Sequence, residues 1–292
     1  MMNAPVVELL VRRIGYLVPG FSFVGTVQSV YARACNIASQ ELLLTLVAPG
    51  ISDGPTMLVL GGDRVADLRT CFRIRDRVVR RNGRLTSPGA DVDLGHAASW
   101  HPDSEPVTAD PAQVSANYRV AAARLAARLD RNASVIHRDG RVVCARVEQA
   151  CRDGHFERAL LNAVRLIGWG EGLTPAGDDF LVGLLAGLDA MAKGSANRAA
   201  FLTGFRAALA AHADRTTAIA AHYLRLAAGS HFGADLRRLR NALLSSSDVA
   251  RVEHLADDAL AVGATSGADQ VAGLLAGISA WLFPLSPDER PA

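Results

Sequence analysis

The order of apolar and polar residues changes character at about residue 105. Between residues 20 and about 100, short runs rich in Val, Leu and Thr alternate with clusters of Gly, Asp and Pro, which is typical of strands joined by turns. Asn82-Gly83 lies between two such runs and predicts a type I′ hairpin, because both residues tolerate a positive φ. From residue 111 onward, apolar residues recur at spacings of three and four, as on the buried face of a helix.

The patterns therefore predict an α+β protein with two domains. A small β-rich N-terminal domain covers residues 1–105, and a larger all-α C-terminal domain covers residues 106–292. The helical part begins after the proline-containing linker "HPDSEPVTADP", where Asp110 is placed to cap a helix and Pro111 fits its first position. Helices are expected at about 113–129, 156–168, 198–212, 214–228, 234–245, 249–261 and 269–283.

The α domain contains an internal loop–helix repeat. The segments "GDDFLVGLLAGL" (177–188) and "GADQVAGLLAGI" (267–278) are identical at seven of twelve positions, and upstream of them "GLTPAG" aligns with "GATSG" if one residue is deleted. Each copy is a glycine-rich loop followed by an apolar helix with two glycines four residues apart. Small residues at this spacing let another backbone approach closely, so we expect the two helices to pack on each other about a pseudo-twofold axis.

Three carboxylates, Glu171, Asp178 and Asp179, lie in or just after the first loop. Asp179, like Asp269 in the second copy, is expected to accept N–H groups in the first helical turn. Asp178 is either solvated or part of a ligand site. Such a site is open to three interpretations: an anion held with a divalent cation such as Mg²⁺ on Asp178 and Asp179, an anion held with a basic side chain, or amide and ureido N–H groups bound directly by the carboxylates.

A basic partner for these carboxylates is available at Arg215. It precedes Thr216 and Thr217 at an expected helix start, and a guanidinium with two hydroxyls suits an oxyanion; the alternative is a surface arginine beside a capping Asp214 or Thr. The predicted catalytic residues are Asp178, Asp179 and Arg215. The predicted ligand-binding residues are Gly170, Gly172, Thr174, Gly177, Thr216, Thr217, Thr265, Ser266 and Asp269. All are expected to converge on one pocket, with the cation and threonine hydroxyls on phosphate and the carboxylates on N–H groups.

Composition narrows the class of protein. The 292 residues carry a net charge of +2 and are 50% hydrophobic, which gives no reason to expect nucleic acid as a partner. The arginine run between residues 73 and 84 has no interleaved aromatic residues, so it indicates a solvated hairpin face or a subunit contact. No apolar run reaches the roughly 20 residues of a membrane span. The four cysteines form no CxxC pair, and Arg12 and Arg13 interrupt the first apolar segment, so we expect reduced thiols and a cytoplasmic protein.

Three segments together resemble the AllH-type family: "GEGLTPAGDDFLVGLLAGL", "DRTTAIAAHYLRLAAGSHF" and "GATSGADQVAGLLAGI", in this order after a β-rich part containing "GTVQSVYARACNIAS". The resemblance covers most of the chain. It implies a subunit of oxamate carbamoyltransferase, which converts oxalurate and phosphate to oxamate and carbamoyl phosphate in allantoin and purine breakdown.

The same resemblance implies partners, and this chain differs from the family pattern at one position. The expected partners are an FdrA-type subunit, which is similar to acyl-CoA synthetases, and a second large subunit. The family pattern implies a histidine in the second loop, where this chain has Ala264. The alternative function is a non-catalytic, regulatory subunit that binds a small anion or ureido compound.

Overall fold

The computed structural model describes residues 6–39, 42–62, 67–104, 110–132 and 134–282. The chain divides into two compact units, residues 1–103 and 104–292. A β-barrel region is followed by a helical region, which confirms the predicted α+β class. The predicted boundary at residues 105 and 106 lies outside the described residues.

The N-terminal unit is a barrel whose described part has nine strands and one short helix. In chain order these are β1 (Val7–Gly15), β2 (Phe23–Val30), β3 (Ala34–Ala38), β4 (Leu43–Val47), β5 (Met57–Leu60), α1 (Leu68–Cys71), β6 (Arg77–Arg81), β7 (Arg84–Thr86), β8 (Ala90–Asp93) and β9 (Ala98–Trp100). The strand order is β5-β4-β3-β2-β6-β7-β8-β1-β9, and β1 also pairs with β5, which closes the sheet. Closure leaves few free edges and surrounds a single apolar core.

The hairpin prediction is confirmed, and the predicted start of the β region is wrong. Asn82 and Gly83 have φ angles of 51° and 71°, and they join β6 to β7 with Arg81 opposite Arg84. Strand β1, however, precedes residue 20. It pairs in parallel with β8 and then with β9 on one side, and antiparallel with β5 on the other. In β1 three consecutive apolar residues are followed by two arginines, so no alternation marks it as a strand. Its role as the closing strand depends on neighbours that are distant in sequence.

The C-terminal unit is helical throughout its described part. Its helices are α2 (Pro111–Leu129), α3 (Val135–Arg138), α4 (Arg141–Arg152), α5 (Phe156–Leu166), α6 (Ala176–Met191), α7 (Ala196–Ala211), α8 (Ala218–Ala228), α9 (Ala234–Ser245), α10 (Val249–Leu260) and α11 (Ser266–Leu282), with a 3₁₀ turn at Ala213–Arg215 before α8. Asp110 accepts hydrogen bonds from the N–H groups of Ala112 and Gln113, as predicted for the cap of α2.

Two helices of this unit were not predicted from the sequence. Helix α4 has adjacent valines near its start, with Val142 60% exposed, and arginines that dilute its apolar spacing. Helix α3 is a single turn. It lies close to the second repeat.

Helices α6 and α11 form the centre of the apolar core, as the repeat predicts. A methyl group added at Gly183 would lie 1.9 Å from the carbonyl oxygen of Gln270, and one at Gly273 would lie 1.9 Å from that of Phe180. These two contacts are exchanged when each copy is replaced by the other, because residues 180 and 270 are equivalent. The reciprocal contacts establish the pseudo-twofold axis.

The two helices run in the same direction. Gly183 of α6 meets Gln270 and Leu274 of α11, and Gly187 further along α6 meets Leu274 and Ile278 further along α11. Contacts that advance together along both helices require parallel packing. The N-terminal ends of α6 and α11 are therefore neighbours, and the positive ends of both helix dipoles lie at the same end of the pair.

Candidate functional site

The loop before α6 holds Asp178 in a cradle of hydrogen-bond donors. The N–H of Gly168 lies 3.2 Å from each carboxylate oxygen, and the hydroxyl of Thr216 donates to Oδ2 at 2.6 Å. Gly168 has a φ of 75°, a conformation that glycine adopts without strain, and this aims its N–H at the carboxylate. Burial raises the pKa of Asp178, and the bonds from Thr216 and Gly168 act against that rise.

Asp179 is more deeply buried and less completely paired. Its Oδ1 accepts a hydrogen bond of 2.9 Å from the side chain of Gln270, which belongs to the second repeat. Its Oδ2 is buried and has no hydrogen-bond partner among the described residues. Burial raises the pKa of Asp179 to about 7, and the negative charge of Asp269 adds to the rise. Gln270 and the nearby hydroxyls of Ser266 and Thr174 oppose it, although neither hydroxyl reaches hydrogen-bond geometry with Oδ2.

Asp269 occupies the equivalent position in the second repeat but has different partners. It is 0% exposed, and its Oδ1 accepts a 2.5 Å hydrogen bond from Ser134, just before α3. His137 Nε2 lies 3.1 Å from the same oxygen, but the two are not aligned as a directed hydrogen bond. Asp269 Oδ2 has no partner in the part of the chain that the structure describes.

The three predicted segments converge at the N-terminal ends of α6 and α11. Thr174 and Ser266 join the two loops through a hydroxyl–hydroxyl hydrogen bond of 3.0 Å. Thr217 donates to the carbonyl oxygen of Leu173, and it also caps α8 by accepting from the N–H of Ala220. These contacts confirm the prediction that both loops lie on the same side of the helical unit.

Two predicted roles are wrong. Pro175, and not an aspartate, is the N-cap residue of α6, and no side chain makes a cap hydrogen bond there. Asp178 and Asp179 lie in the first turn of the helix, and their side chains point to the Gly168 loop and to α11. Arg215 is also not the cation that compensates the carboxylates. Its side chain is exposed, and it forms no ion pair with any acid among the described residues.

The carboxylates are instead stabilised by hydrogen-bond donors, and a raised pKa reduces the charge on Asp179. The hydroxyls of Thr216 and Thr217 donate hydrogen bonds to Asp178 and to the Leu173 carbonyl oxygen. In this arrangement they cannot also donate to phosphate. Of Arg215 itself only the backbone contacts the site, since Gly168 packs against the Arg215 carbonyl oxygen.

The other predicted residues are distributed around this centre. Gly170 and Gly172 have positive φ angles of 119° and 93°, and Glu171 between them is exposed. Gly177 packs against the end of α5, where an added methyl group would lie 2.0 Å from the Leu166 carbonyl oxygen. The Thr265 carbonyl oxygen accepts from the N–H of Asp269 and so begins α11.

Four residues at the site were missed at the level of sequence: Gly168, Gln270, Ser134 and His137. Gln270 could have been identified from the sequence as a site residue. The repeat aligns it with Phe180, so a polar residue stands at a position that is apolar in the first copy. Ser134 and His137 come from a segment with no periodic signal, and only the tertiary structure brings them to Asp269.

No group of three or more His, Cys, Asp or Glu side chains within the described ranges could hold a metal ion. The donors around Asp178 are the N–H of Gly168 and the hydroxyl of Thr216, which complement a carboxylate. A cavity of about 440 Å³ lies away from the carboxylates, between α2 and α10, and is lined by Arg124, Ala127, Arg128, Arg131, Asp257, Leu260 and Ala261. All four cysteines are free thiols.

Fold and site together define a class of protein: a β-barrel unit joined to a helical unit in which paired loop–helix repeats bury acidic side chains. None of the helices in the described residues is long and apolar enough to cross a membrane.

Comparison with protein families identifies the chain more narrowly. A model described as oxamate carbamoyltransferase subunit AllH matches residues 166–278, and one described as the AllH family N-terminal domain matches residues 13–99. Together these matches span more than half of the chain, so the protein belongs to the AllH family. The search of curated proteins and the search of solved structures each gave no match.

Proposed function

We propose that this chain is the AllH-type subunit of an oxamate carbamoyltransferase and that it binds the small substrate at the N-terminal ends of α6 and α11. The observation that carries the proposal is the Thr174–Ser266 hydrogen bond, which joins the two repeat loops beside the buried carboxylates. Both loops fall within residues 166–278, the segment matched by the carbamoyltransferase subunit family.

The proposed reaction is phosphorolysis of oxalurate. A phosphate oxygen attacks the ureido carbonyl carbon, the bond from that carbon to the oxamate nitrogen breaks, and this nitrogen takes the proton that phosphate gives up. The products are carbamoyl phosphate and oxamate, so atoms and charge balance. Such a transfer requires that two reactants be held in register and that developing negative charge be stabilised. It requires no nucleophilic side chain.

The site supplies groups suited to this task. The paired helix N-termini place two positive dipole ends at the same location, which favours an anionic substrate. Arg215 is exposed while Thr216 and Thr217 anchor its backbone to the first loop. We assign it to the phosphate or the substrate carboxylate, because guanidinium groups bind such anions with two parallel hydrogen bonds.

The test uses the assembled enzyme and isothermal titration with phosphate, carbamoyl phosphate and oxalurate, each with and without Mg²⁺. We expect Arg215→Gln to weaken binding of at least one of these anions by about tenfold, the effect of losing one charge-assisted contact. Arg158→Gln on the exposed side of α5 is the matched control and should leave binding unchanged. Unchanged affinities in the Arg215→Gln, Asp179→Asn double variant would place the substrate site elsewhere.

The name of the family describes a subunit, which implies a complex of several chains. We propose an FdrA-type chain and a second large subunit as the partners. Co-purification from the native source followed by mass spectrometry checks this, and recovery of the chain without either partner would contradict it.

The alternative function, a non-catalytic subunit that binds a regulatory ligand, is favoured by the occupied hydroxyls of Thr216 and Thr217. Steady-state kinetics of the assembled enzyme separate the two functions. A catalytic or co-catalytic site predicts that Asp179→Asn lowers kcat, whereas a regulatory site predicts a change in ligand sensitivity with kcat at saturation unaltered.

A further inference from the structure

Three buried polar atoms without hydrogen-bond partners cluster at the substrate end of the repeats. They are Oδ2 of Asp179, Oδ2 of Asp269 and Nε2 of His137, and none of them has a partner among the described residues. The cluster is contiguous, since His137 Nε2 lies 3.1 Å from Asp269 Oδ1, and Gln270, the next residue after Asp269, donates to Asp179. It includes side chains from α6, α11 and the short helix α3.

An unpartnered carboxylate oxygen in the protein interior costs free energy, because burial removes the water that would donate a hydrogen bond to it. The other oxygen of each aspartate accepts a hydrogen bond, from Gln270 in Asp179 and from Ser134 in Asp269. These bonds fix the two carboxylates, and each presents one oxygen that has acceptor capacity and no donor. Preorganised acceptors of this kind are suited to a ligand that brings donors.

The charge of the cluster selects the kind of ligand. An anionic oxygen placed here would bring no hydrogen to either acceptor oxygen, and the charge of Asp269 would repel it at low dielectric. A neutral –NH2 group brings two hydrogens and no negative charge, which matches two acceptor oxygens. We propose that Asp179 and Asp269 form a subsite for the –NH2 group of an amide or ureido ligand and discriminate against a carboxylate at the same place.

This subsite gives the proposed substrate a direction, and in that respect it rests on the proposed function. The –NH2 group of the bound ligand, oxalurate or oxamate, lies against Asp179 and Asp269, and its carboxylate is left for the exposed side, where Arg215 lies. The Thr174–Ser266 bridge joins the two loops next to Asp179.

Oxamate and oxalate provide a matched pair of probes, because they differ by an –NH2 group in place of one carboxylate oxygen. Titration of the full-length chain in its assembled complex should give at least about tenfold tighter binding of oxamate, since a site built for a donor rejects an analogue that lacks it. Equal affinities, a preference for oxalate, or no binding of either probe would overturn the proposal.

Charge-neutralising variants test which residues discriminate. Asp179→Asn and Asp269→Asn should each reduce the oxamate-to-oxalate affinity ratio by about tenfold, because an amide presents a donor where the subsite requires an acceptor. Glu148→Gln is the control, since this carboxylate is already paired with Arg152 and Ser279 in the same unit. A ratio that falls equally in the control and in the aspartate variants also overturns the proposal.

The outcome for the subsite is separable from that for the reaction. Carbamoyl phosphate formation by the complex is measured independently of probe binding. If the complex transfers the carbamoyl group but shows no selectivity for –NH2, the subsite proposal is wrong and the proposed function stands. If it shows the selectivity but no transfer activity, the subsite proposal stands and the proposed function is wrong.

Discussion

The two loop–helix repeats have the same packing and different polar surroundings. Gly183 and Gly187 of the first copy and Gly273 and Gly277 of the second make reciprocal contacts across α6 and α11. The equivalent acids do not follow this symmetry. Asp179 is bonded across the axis by Gln270, whereas Asp269 is bonded by Ser134 from outside the repeat.

This difference shows that the scaffold and the site are specified separately. Backbone-to-backbone packing tolerates only glycine at the crossing, so both copies retain it. The hydrogen-bonding partners of the acids are single side chains, and these are not repeated. The first copy has Phe180 where the second has Gln270, and Asp179 and Asp269 face different neighbours. The loops differ as well: the first is anchored to α8 through Thr217, and the second to α2 through Arg128 and Ala264.

The largest expected effect comes from breaking the shared packing. Gly183→Ala and Gly273→Ala each place a methyl group 1.9 Å from a backbone carbonyl oxygen, so the helices must separate. We expect each to lower the free energy of unfolding by about 4 kcal/mol or more, measured by urea denaturation. Gly20→Ala, with nothing within 4 Å of the added group, is the control. Tolerance of one substitution but not the other would contradict the pseudo-twofold symmetry.

The next effect distinguishes the neighbouring acids of the first repeat. Folding raises the pKa of Asp179 from 3.8 to about 7, so the folded state keeps a proton that the unfolded chain releases. This group's contribution to stability is therefore lost as the pH rises from about 4 to about 7, by roughly 4 kcal/mol in total. Asp179→Asn removes the loss, and we expect the variant to be more stable than the wild type at pH 8.

Asp178→Asn sharpens this contrast. Both oxygens of Asp178 already accept hydrogen bonds, so an amide there disrupts its contacts with Gly168 and Thr216. Burial also raises the pKa of Asp178, so the amide relieves part of the cost of burying a charge, but the lost hydrogen bonds outweigh that relief. We expect a net loss of about 1 kcal/mol at pH 8, opposite in sign to the effect of Asp179→Asn. Thermal unfolding of both variants at pH 5 and pH 8 is the measurement, and a shift of the same sign in both at pH 8 would disprove the assignment.

A smaller effect tests the dependence of the second repeat on α3. Ser134→Ala removes the 2.5 Å hydrogen bond to Asp269 and should destabilise the helical unit by roughly 1–2 kcal/mol. Ser245→Ala, which removes a bond to its own helix, is the matched control and should change stability by less than about 0.5 kcal/mol. Equal effects from both variants would mean that Ser134 does not support Asp269.

The smallest effect concerns the departure at Ala264. This residue is exposed and is held through its carbonyl oxygen, which accepts from Arg128 and Asn132. Ala264→His should therefore change the free energy of unfolding by less than about 0.5 kcal/mol. Oxamate titration of the same variant then reports whether a histidine in this loop contributes to binding. A loss of stability above about 1 kcal/mol would show that the loop cannot accept the larger side chain.

The sequence by itself determined the features that depend on local or repeated patterns. The α+β class, the Asn82-Gly83 hairpin, the Asp110 cap and the α6–α11 pair all follow from φ preferences, capping chemistry or the glycine spacing. It did not predict β1 or α4. The pairing of β1 is non-local, and the apolar residues of α4 are diluted by arginines.

Only the tertiary structure decided how the acids are neutralised. From sequence, Asp179 is expected to cap a helix, and Arg215 is expected to balance the nearby charges. In the fold, Asp179 faces Gln270, Asp269 faces Ser134 and His137, and the Arg215 side chain is exposed. The physical reason is that hydrogen bonds and burial act over a few ångströms between side chains as many as 135 positions apart in the chain, as with Ser134 and Asp269. Such distances are set by packing and leave no local pattern in the sequence.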